Sequence, residues 1–436
     1  MRRGSLALFL YPQLFSVKVV DNKKDFDADL IVVGGGPGGA TCAAIAARAG
    51  LRVILVDQSA FPRDKVCGDA ISGKTISILR ELGLDDHFAR SGEAKMRGIS
   101  FAGPYGDRFT AAFKLDPRPD ELLCLTSKRI HFDDVLLQRA RALGVDVRTP
   151  VSVTGLLRST EGAVKGVTIT DEKTGTDAPP ATITAPLVVG ADGAYSAVVR
   201  ALGYTQLEPD HYSGGMRQYV QGVTGFEEGV IEIHYIDEVI PGYFWIFPLA
   251  NGAANVGIGM LSSHLKAQKI SLRKRLFEVL ALPQFAPRFS EATFVGKPVG
   301  WGLPMGSKPR TMHGDGWMLV GDAASLIDPL TGEGIGNAML SGRFAAEQAL
   351  RAHAIQSFDA ATLKPYQDHV LDKLGEELKI AHALQRLSRW KWLLNTVIKK
   401  ASRNEELRNA ITCMFDDLDS RRTLMGPGFY VRALFA

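Results

Sequence analysis

Gly34-Gly35-Gly36-Pro37-Gly38-Gly39 sits between the apolar run Leu30-Ile-Val-Val33 and an alanine-rich segment, Ala40 to Ala49. Its glycines fall at the first, third and sixth places, and the chemistry such a turn offers is a set of backbone N–H groups. Gly34 permits a tight turn, Gly36 lets the backbone approach a pyrophosphate, and Gly39 lets the next helix pack closely on its sheet. The N-terminus of that helix adds free N–H groups and a positive dipole end. A second apolar run, Val53-Ile-Leu-Val56, ends in Asp57, 23 residues after Gly34, near the spacing for a ribose-hydroxyl acceptor. An acid there disfavours a 2′-phosphate, so FAD or NAD is expected rather than NADP.

Two later runs end in the same way. Leu187-Val-Val-Gly190 leads into Ala191-Asp192-Gly193, Ser196 and Arg200, and Gly316-Trp-Met-Leu-Val-Gly321 leads into Asp322. Ligand contacts in an open α/β sheet lie at the carboxyl ends of strands. Asp322 is placed to accept from ribityl hydroxyls, which NAD lacks, and this favours FAD. Asp328-Pro329-Leu-Thr-Gly332-Glu-Gly334-Ile335-Gly336 then opens a helix expected to run to about Leu350. Alone, those glycines read equally well as a turn and cap. With the first fingerprint upstream, they are read as open N–H groups aimed at the negative charge of a reduced flavin.

These three segments resemble the FAD-binding motifs of the para-hydroxybenzoate hydroxylase superfamily. One place departs: Val199 stands where the arginine after the serine is usual, and Arg200 follows it. Arg129, opening the helical pattern His131 to Leu143, resembles a further FAD-contacting arginine. Two markers choose a branch. Cys67-Gly68 stands where flavin-dependent halogenases carry Gly-Glu-Ser, and Tyr243-Phe-Trp245-Ile-Phe247-Pro248, trailed by Gly257-Ile-Gly259, resembles the Tyr-x-Trp-x-Phe-Pro motif of the geranylgeranyl reductases. The resemblance spans about residues 28 to 435. It implies FAD held by Gly34, Gly36, Pro37, Gly38, Gly39, Asp57, Arg129, Asp192, Gly321, Asp322, Pro329, Gly332, Gly334 and Ile335. It further implies an isoprenoid lipid substrate whose carbon–carbon double bonds are saturated by hydride from the reduced flavin. An external electron donor, NAD(P)H or a ferredoxin-like protein, completes the set. Cys67, Tyr243 and Trp245 are the catalytic candidates, and Tyr243, Trp245 and Phe247 the substrate-binding ones. Alternation puts the three aromatics on one strand face, which a plain core strand would also do. Cys67 is read either as an inert buried thiol or as a neighbour of the flavin ring. The alternative enzyme is a monooxygenase or halogenase of the same superfamily. A third reading is a flavin-bearing binding protein, or a cyclase using FAD without net redox.

Positioning these groups calls for an α/β fold. A Rossmann-like, para-hydroxybenzoate hydroxylase-like FAD-binding domain is expected over 27–92, 128–205 and 311–360. Short alternating strands over 93–127 and 206–310 imply an antiparallel β-sheet substrate domain. Residues 361–436 form a helical C-terminal region by pattern, and 1–26 read as a loose extension. The polar stretch Asp171 to Pro180 reads as a hairpin turn. No second Gly-x-Gly-x-x-Gly occurs, so no dedicated NADPH domain is expected. A net charge of +4 gives no global support to nucleic-acid binding. The cysteines at 42, 67, 124 and 413 lie too far apart in sequence for a zinc pattern and fit a reducing, cytoplasmic setting. From Arg386 to Arg403 the chain carries Arg386, Arg389, Lys391, Lys399, Lys400 and Arg403 with Trp390 and Trp392, and no acid. Such a helix suits either a solvated packed face or reversible peripheral contact with the inner face of a membrane.

Overall fold

The computed structural model describes residues 26–113, 121–171, 181–205, 207–405, 407 and 408. The expected N-terminal extension up to 25, the turn across 172–180 and the last residues of the C-terminal region lie outside them.

Leu30–Val33 is apolar at every position, and all four residues are buried, as a strand covered on both faces must be. Full burial of each such side chain contributes about 1.5–3 kcal/mol. The strand is flanked by Val53–Val56 and Val188–Gly190, both parallel to it. Asp146–Arg148 and Trp317–Leu319 extend the parallel sheet on either side, and His313–Gly314 adds an antiparallel edge. The helix that follows the first strand begins at Pro37, three residues before the alanine run, because proline's fixed φ suits a first helical position. Its residues from Pro37 to Ala46 are buried, which their small side chains allow. The helix opened by the second glycine cluster spans Ile335–Ile355. It outruns the expected end at Leu350 because Ala352 and His353 still face the core, and it stops at Gln356 in the left-handed region.

A second, seven-stranded sheet covers the carboxyl ends of this layer. Its order is Thr293–Pro304, Tyr212–Gln221, Ala253–Leu261, Gly242–Pro248, Val230–His234, Gly98–Ala102 and Arg108–Ala112. It is antiparallel except where Val230–His234 runs parallel to Gly98–Ala102. The parallel pair arises because the hairpin 98–112 enters from an earlier, separate excursion of the chain. Ala94–Met96 and Cys124–Thr126, expected in this sheet from the sequence, instead form a separate three-stranded sheet in which Cys124–Thr126 pairs with both Ala70–Ile71 and Ala94–Met96. They therefore tie the large sheet's hairpin to the loop after Asp57.

Helices Ala360–Val370, Glu376–Leu387 and Lys391–Ala401 close the described chain. Glu377 reaches back to the buried Lys74, 2.8 Å away, and Lys74 also donates to Asn337 Oδ1. Ile398 and Ala401 of the last helix are buried in one apolar cluster with Phe101, Phe109, Trp245 and Phe247. No helix among the described residues is long and apolar enough to cross a membrane.

Candidate active site

A cavity of about 520 Å³ lies between the two sheets. Gly34, Gly36, Pro37 and Gly38 line one end with Asp57. Asp57 is nearly buried and organises the turn itself: Oδ2 accepts from Gly35 N at 2.7 Å and Oδ1 from Ser59 N at 2.8 Å. Gly39 does not line the cavity. A Cβ there would lie 1.9 Å from the Gly34 carbonyl oxygen, so its role is the close packing of helix on turn. No side chain caps the Pro37–Arg48 helix, whose first N–H groups stay available to an anion.

Positive charge stands next to this turn. Asp133, fully buried, accepts from Arg129 Nε at 2.6 Å, from Arg129 Nη2 at 2.8 Å and from Arg63 Nη1 at 2.9 Å. Burial works against the charge on Arg129, but the Asp133 carboxylate outweighs it and holds the guanidinium protonated. Two cations on one carboxylate leave a net positive wall, since Arg63 and Arg129 both line the cavity. Lys65 lies over the Trp301 ring at 4.4 Å, and burial pushes its amine down to about 8, partly opposed by the Asp322 carboxylate.

Asp192, Arg200, Gly321 and Asp322 line the far side. Asp192 is committed to its own helix: it accepts from Ser196 Oγ at 2.5 Å, Ala197 N at 2.7 Å and Val198 N at 3.2 Å. Gly332, Gly334 and Ile335 also line the cavity, whereas Pro329 does not. The start of the Ile335–Ile355 helix is less open than its glycines imply. Glu333 Oε1 accepts from Gly336 N and from Ser72 Oγ, each at 2.9 Å. Asp328 orders the loop before it by accepting from Leu330 N and Thr331 N.

The remaining wall is aromatic. Tyr243, Trp245 and Phe247 share one face of strand Gly242–Pro248, with ring centroids 6.1 Å and 6.3 Å apart in succession. The first of the trailing glycines has a packing cause. Gly257 is in register with Trp245 on the neighbouring strand, and a Cβ there would meet the indole at 2.3 Å. Gly68 has one as well: its Cβ would lie 2.9 Å from the Phe247 ring. The Cys67-Gly68 turn and the aromatic strand, 175 residues apart at Gly68 and Tyr243, therefore pack directly on one another. Tyr243 OH donates to Thr331 O at 2.5 Å, which ties this wall to the glycine-rich loop. Cys67 is half-buried and lines the cavity, and burial raises its thiol, which stays protonated at neutral pH.

The sequence alone assigned no role to Asp69, Arg217, Tyr219 or Asn255. Tyr219 OH donates to Asp69 Oδ2 at 2.7 Å, and Asn255 Nδ2 donates to the same oxygen at 2.8 Å and to Cys67 O at 2.7 Å. Asn255 Oδ1 in turn accepts from Trp245 Nε1 at 2.9 Å. The available signal was Asn255 inside the apolar run Ala253–Leu261, since a polar residue in a core strand needs partners.

These residues fit FAD on their own geometry. One cavity joins an uncapped helix start, an acid beside a phosphate-type turn, the buried Arg129 and half-buried Arg63 guanidiniums, and an aromatic wall. The comparisons agree. Residues 27–368 match the family described as FAD binding domain. A menaquinone reductase of Mycobacterium tuberculosis is 30% identical over 401 residues, covering 90% of this chain and 92% of that one. A digeranylgeranylglycerophospholipid reductase of Methanopyrus kandleri is 32% identical over 362 residues, covering 82% and 90%. The chain belongs to the geranylgeranyl reductase family of FAD-dependent flavoproteins. It is an oxidoreductase, and its cofactor is FAD. Among solved structures, a geranylgeranyl bacteriochlorophyll reductase-like protein of Thermoplasma acidophilum superposes with a TM-score of 0.78 at 23% identity, covering 91% of this chain and 98% of that one. A flavin-dependent brominase reaches 0.72 at 20% identity, covering 93% and 99%. The family's fold, a para-hydroxybenzoate hydroxylase-like FAD-binding domain with an antiparallel-type sheet and C-terminal helices, is the fold of this chain.

Proposed function

We propose that this enzyme saturates carbon–carbon double bonds in the isoprenoid chain of a prenyl lipid. The observation that carries the reading is the aromatic face Tyr243, Trp245 and Phe247 seated on the Cys67-Gly68 turn at the apolar end of the FAD cavity. Bound FAD, once reduced by an external donor such as NAD(P)H or a ferredoxin-like protein, supplies hydride to one alkene carbon. The chain's own residues bind and orient. Gly36 and Gly38 offer N–H groups to the pyrophosphate while Gly34 and Pro37 shape the turn, the Arg63 and Arg129 guanidiniums add charge, and Asp57 and Asp322 accept from hydroxyls. Tyr243, Trp245 and Phe247 hold the methyl-branched isoprenoid chain against the reacting face and exclude water. That matters because an isolated alkene accepts hydride poorly and needs close, fixed approach. Cys67 presents a neutral thiol beside the same site. The relatives' names point the same way, since menaquinone and digeranylgeranylglycerophospholipids both carry polyprenyl chains.

Leu387, Trp390 and Trp392 are exposed at the corner between the last two helices, with Arg386 and Arg389 also exposed. This corner supports reversible contact with an anionic bilayer, where a prenyl lipid resides. The shared fold of a flavin-dependent brominase keeps halogenation as the rival activity. Anaerobic incubation with a polyprenyl substrate and a chemical reductant, followed by mass spectrometry, tests the reading. Product heavier by one hydrogen pair per bond supports it, and unchanged substrate mass sinks it.

A further inference from the structure

Asp69 is a buried acid at the cavity, and the hydrogen bonds that hold it use only one of its two carboxyl oxygens. It is fully buried, it lines the cavity, and its backbone has a φ of 67°, a left-handed conformation that an ordinary packing residue avoids. Its two oxygens are treated differently. Oδ2 accepts from both Tyr219 OH and Asn255 Nδ2. Oδ1, also buried, has no hydrogen-bond partner among the described residues. A lone carboxylate oxygen left so is costly. A neutral carboxylic acid, with its proton on Oδ1 and its other oxygen accepting from two donors, costs less to bury there than the carboxylate.

We propose that Asp69 is the proton donor of the reaction, delivering its proton to the alkene carbon that does not receive hydride. This rests on the alkene-reductase reading given above. As hydride from the reduced flavin forms a C–H bond at one carbon, the alkene's π pair forms a C–H bond at the other with the Asp69 proton. The O–H bond breaks and its electron pair stays on the carboxylate. The alkene is reduced by one hydrogen pair and the flavin is oxidised. The carboxylate left behind keeps the Tyr219 and Asn255 bonds, and it takes its next proton from water as the product leaves.

The surrounding charges allow this cycle. Arg217 and Tyr219 face Asp69 from strand Tyr212–Gln221, Arg129 from helix Arg129–Ala142, and Cys67 from its own loop. Burial pushes the Asp69 carboxyl up to about 6, against the Tyr219 and Asn255 hydrogen bonds and the Arg217 charge, which pull it down. The acid is therefore available on the acidic side of neutrality and its conjugate base is tolerated. Asn255 also joins Asp69 to Trp245 and to Cys67 O, so the donor is held in register with the aromatic wall.

The test compares wild type with Asp69→Asn and Tyr219→Phe, all as holoenzymes under anaerobic conditions. Asparagine tolerates the left-handed backbone, so Asp69→Asn keeps the fold and its FAD content. Its rate of saturation is expected to fall about 10²–10⁴-fold, the usual contribution of a positioned acid. In wild type the rate falls as pH rises through about 6. Tyr219→Phe, having lost one hydrogen bond to the charged form, moves that fall upward by about one pH unit. Infrared difference spectra of wild type against Asp69→Asn, recorded without substrate, should show one protonated carboxyl band that titrates in the same range. Saturation by Asp69→Asn at the wild-type rate, or the absence of that band, overturns the assignment of the proton to Asp69 while leaving the reductase reading in place. Failure of wild type to saturate any prenyl lipid overturns the reductase reading, and the proton donor with it.

Discussion

Gly39 and Gly36 belong to one fingerprint but answer to different masters, and alanine at each separates fold from cofactor. A Cβ on Gly39 would sit 1.9 Å from the Gly34 carbonyl oxygen and 3.0 Å from the Ala191 Cβ. Both obstacles are short and the first is backbone, so relief to an ordinary contact needs the turn and helix to separate by roughly 1.5 Å, an overpacking strain of about 1–3 kcal/mol. At about 2–4 °C per kcal/mol for chains of 150–250 residues, Gly39→Ala should lower the melting temperature of the cofactor-free protein by several degrees, somewhat less in this longer chain. Gly36 differs. Its φ of −70° and ψ of −178° are open to any residue, and the nearest atom to an added Cβ is Arg63 Nη2 at 3.7 Å. Gly36→Ala should leave the cofactor-free protein as stable as wild type, or more stable by about 0.4–1 kcal/mol through the unfolded chain. Its methyl, however, stands where the pyrophosphate must approach, and FAD affinity should fall about tenfold or more, about 1.4 kcal/mol. Thermal unfolding of cofactor-free protein and fluorescence titration with FAD read the two effects separately. A Gly39→Ala protein with wild-type melting, or a Gly36→Ala protein with wild-type FAD affinity, would refute this division of labour.

Lys74→Met leaves Glu377 buried without its cation and should cost about 3–5 kcal/mol in urea unfolding, much of it restored by adding Glu377→Gln. The Asp69 carboxyl, raised to about 6 by burial, contributes stability that is complete below its unfolded value near 3.8 and is lost as pH rises through about 6. Asp69→Asn should therefore gain on wild type between about pH 4 and pH 7, by roughly 3 kcal/mol at most, in chemical unfolding at each pH. Gly257→Ala sets a Cβ 2.3 Å from both the Met216 carbonyl oxygen and the Trp245 indole, so it should lower the melting temperature through strain between neighbouring strands as well as abolish saturation. Changing Arg386, Arg389, Lys391, Lys399, Lys400 and Arg403 to glutamine should release the protein from anionic vesicles in co-sedimentation. Equal binding by both forms would leave the last two helices as packed elements only.

The fingerprint was legible because each of its parts is local: strand, turn, helix, strand and Asp57 follow one another within thirty residues. The period-2 aromatics at 243, 245 and 247 announced a shared face for the same reason. What escaped depends on contacts between distant segments. Arg63 and Arg129 meet on Asp133 only once the loop after Asp57 folds over helix Arg129–Ala142. Asp69, Tyr219 and Asn255 come from three segments up to 186 residues apart. The parallel pairing of Val230–His234 with Gly98–Ala102 is likewise invisible in an alternating pattern, which fixes the face of a strand and not its neighbour. Glu333 was passed over among its glycines, although a carboxylate at a helix start is an expected cap.

The proposed reaction passes electrons from the reduced flavin to a prenyl double bond. The direct measurement is the flavin absorbance of enzyme bleached under anaerobic conditions and then mixed with a polyprenyl lipid. The account predicts that the yellow colour returns without oxygen, in proportion to saturated product. Colour that returns only when oxygen is admitted, with the lipid unchanged, would contradict it.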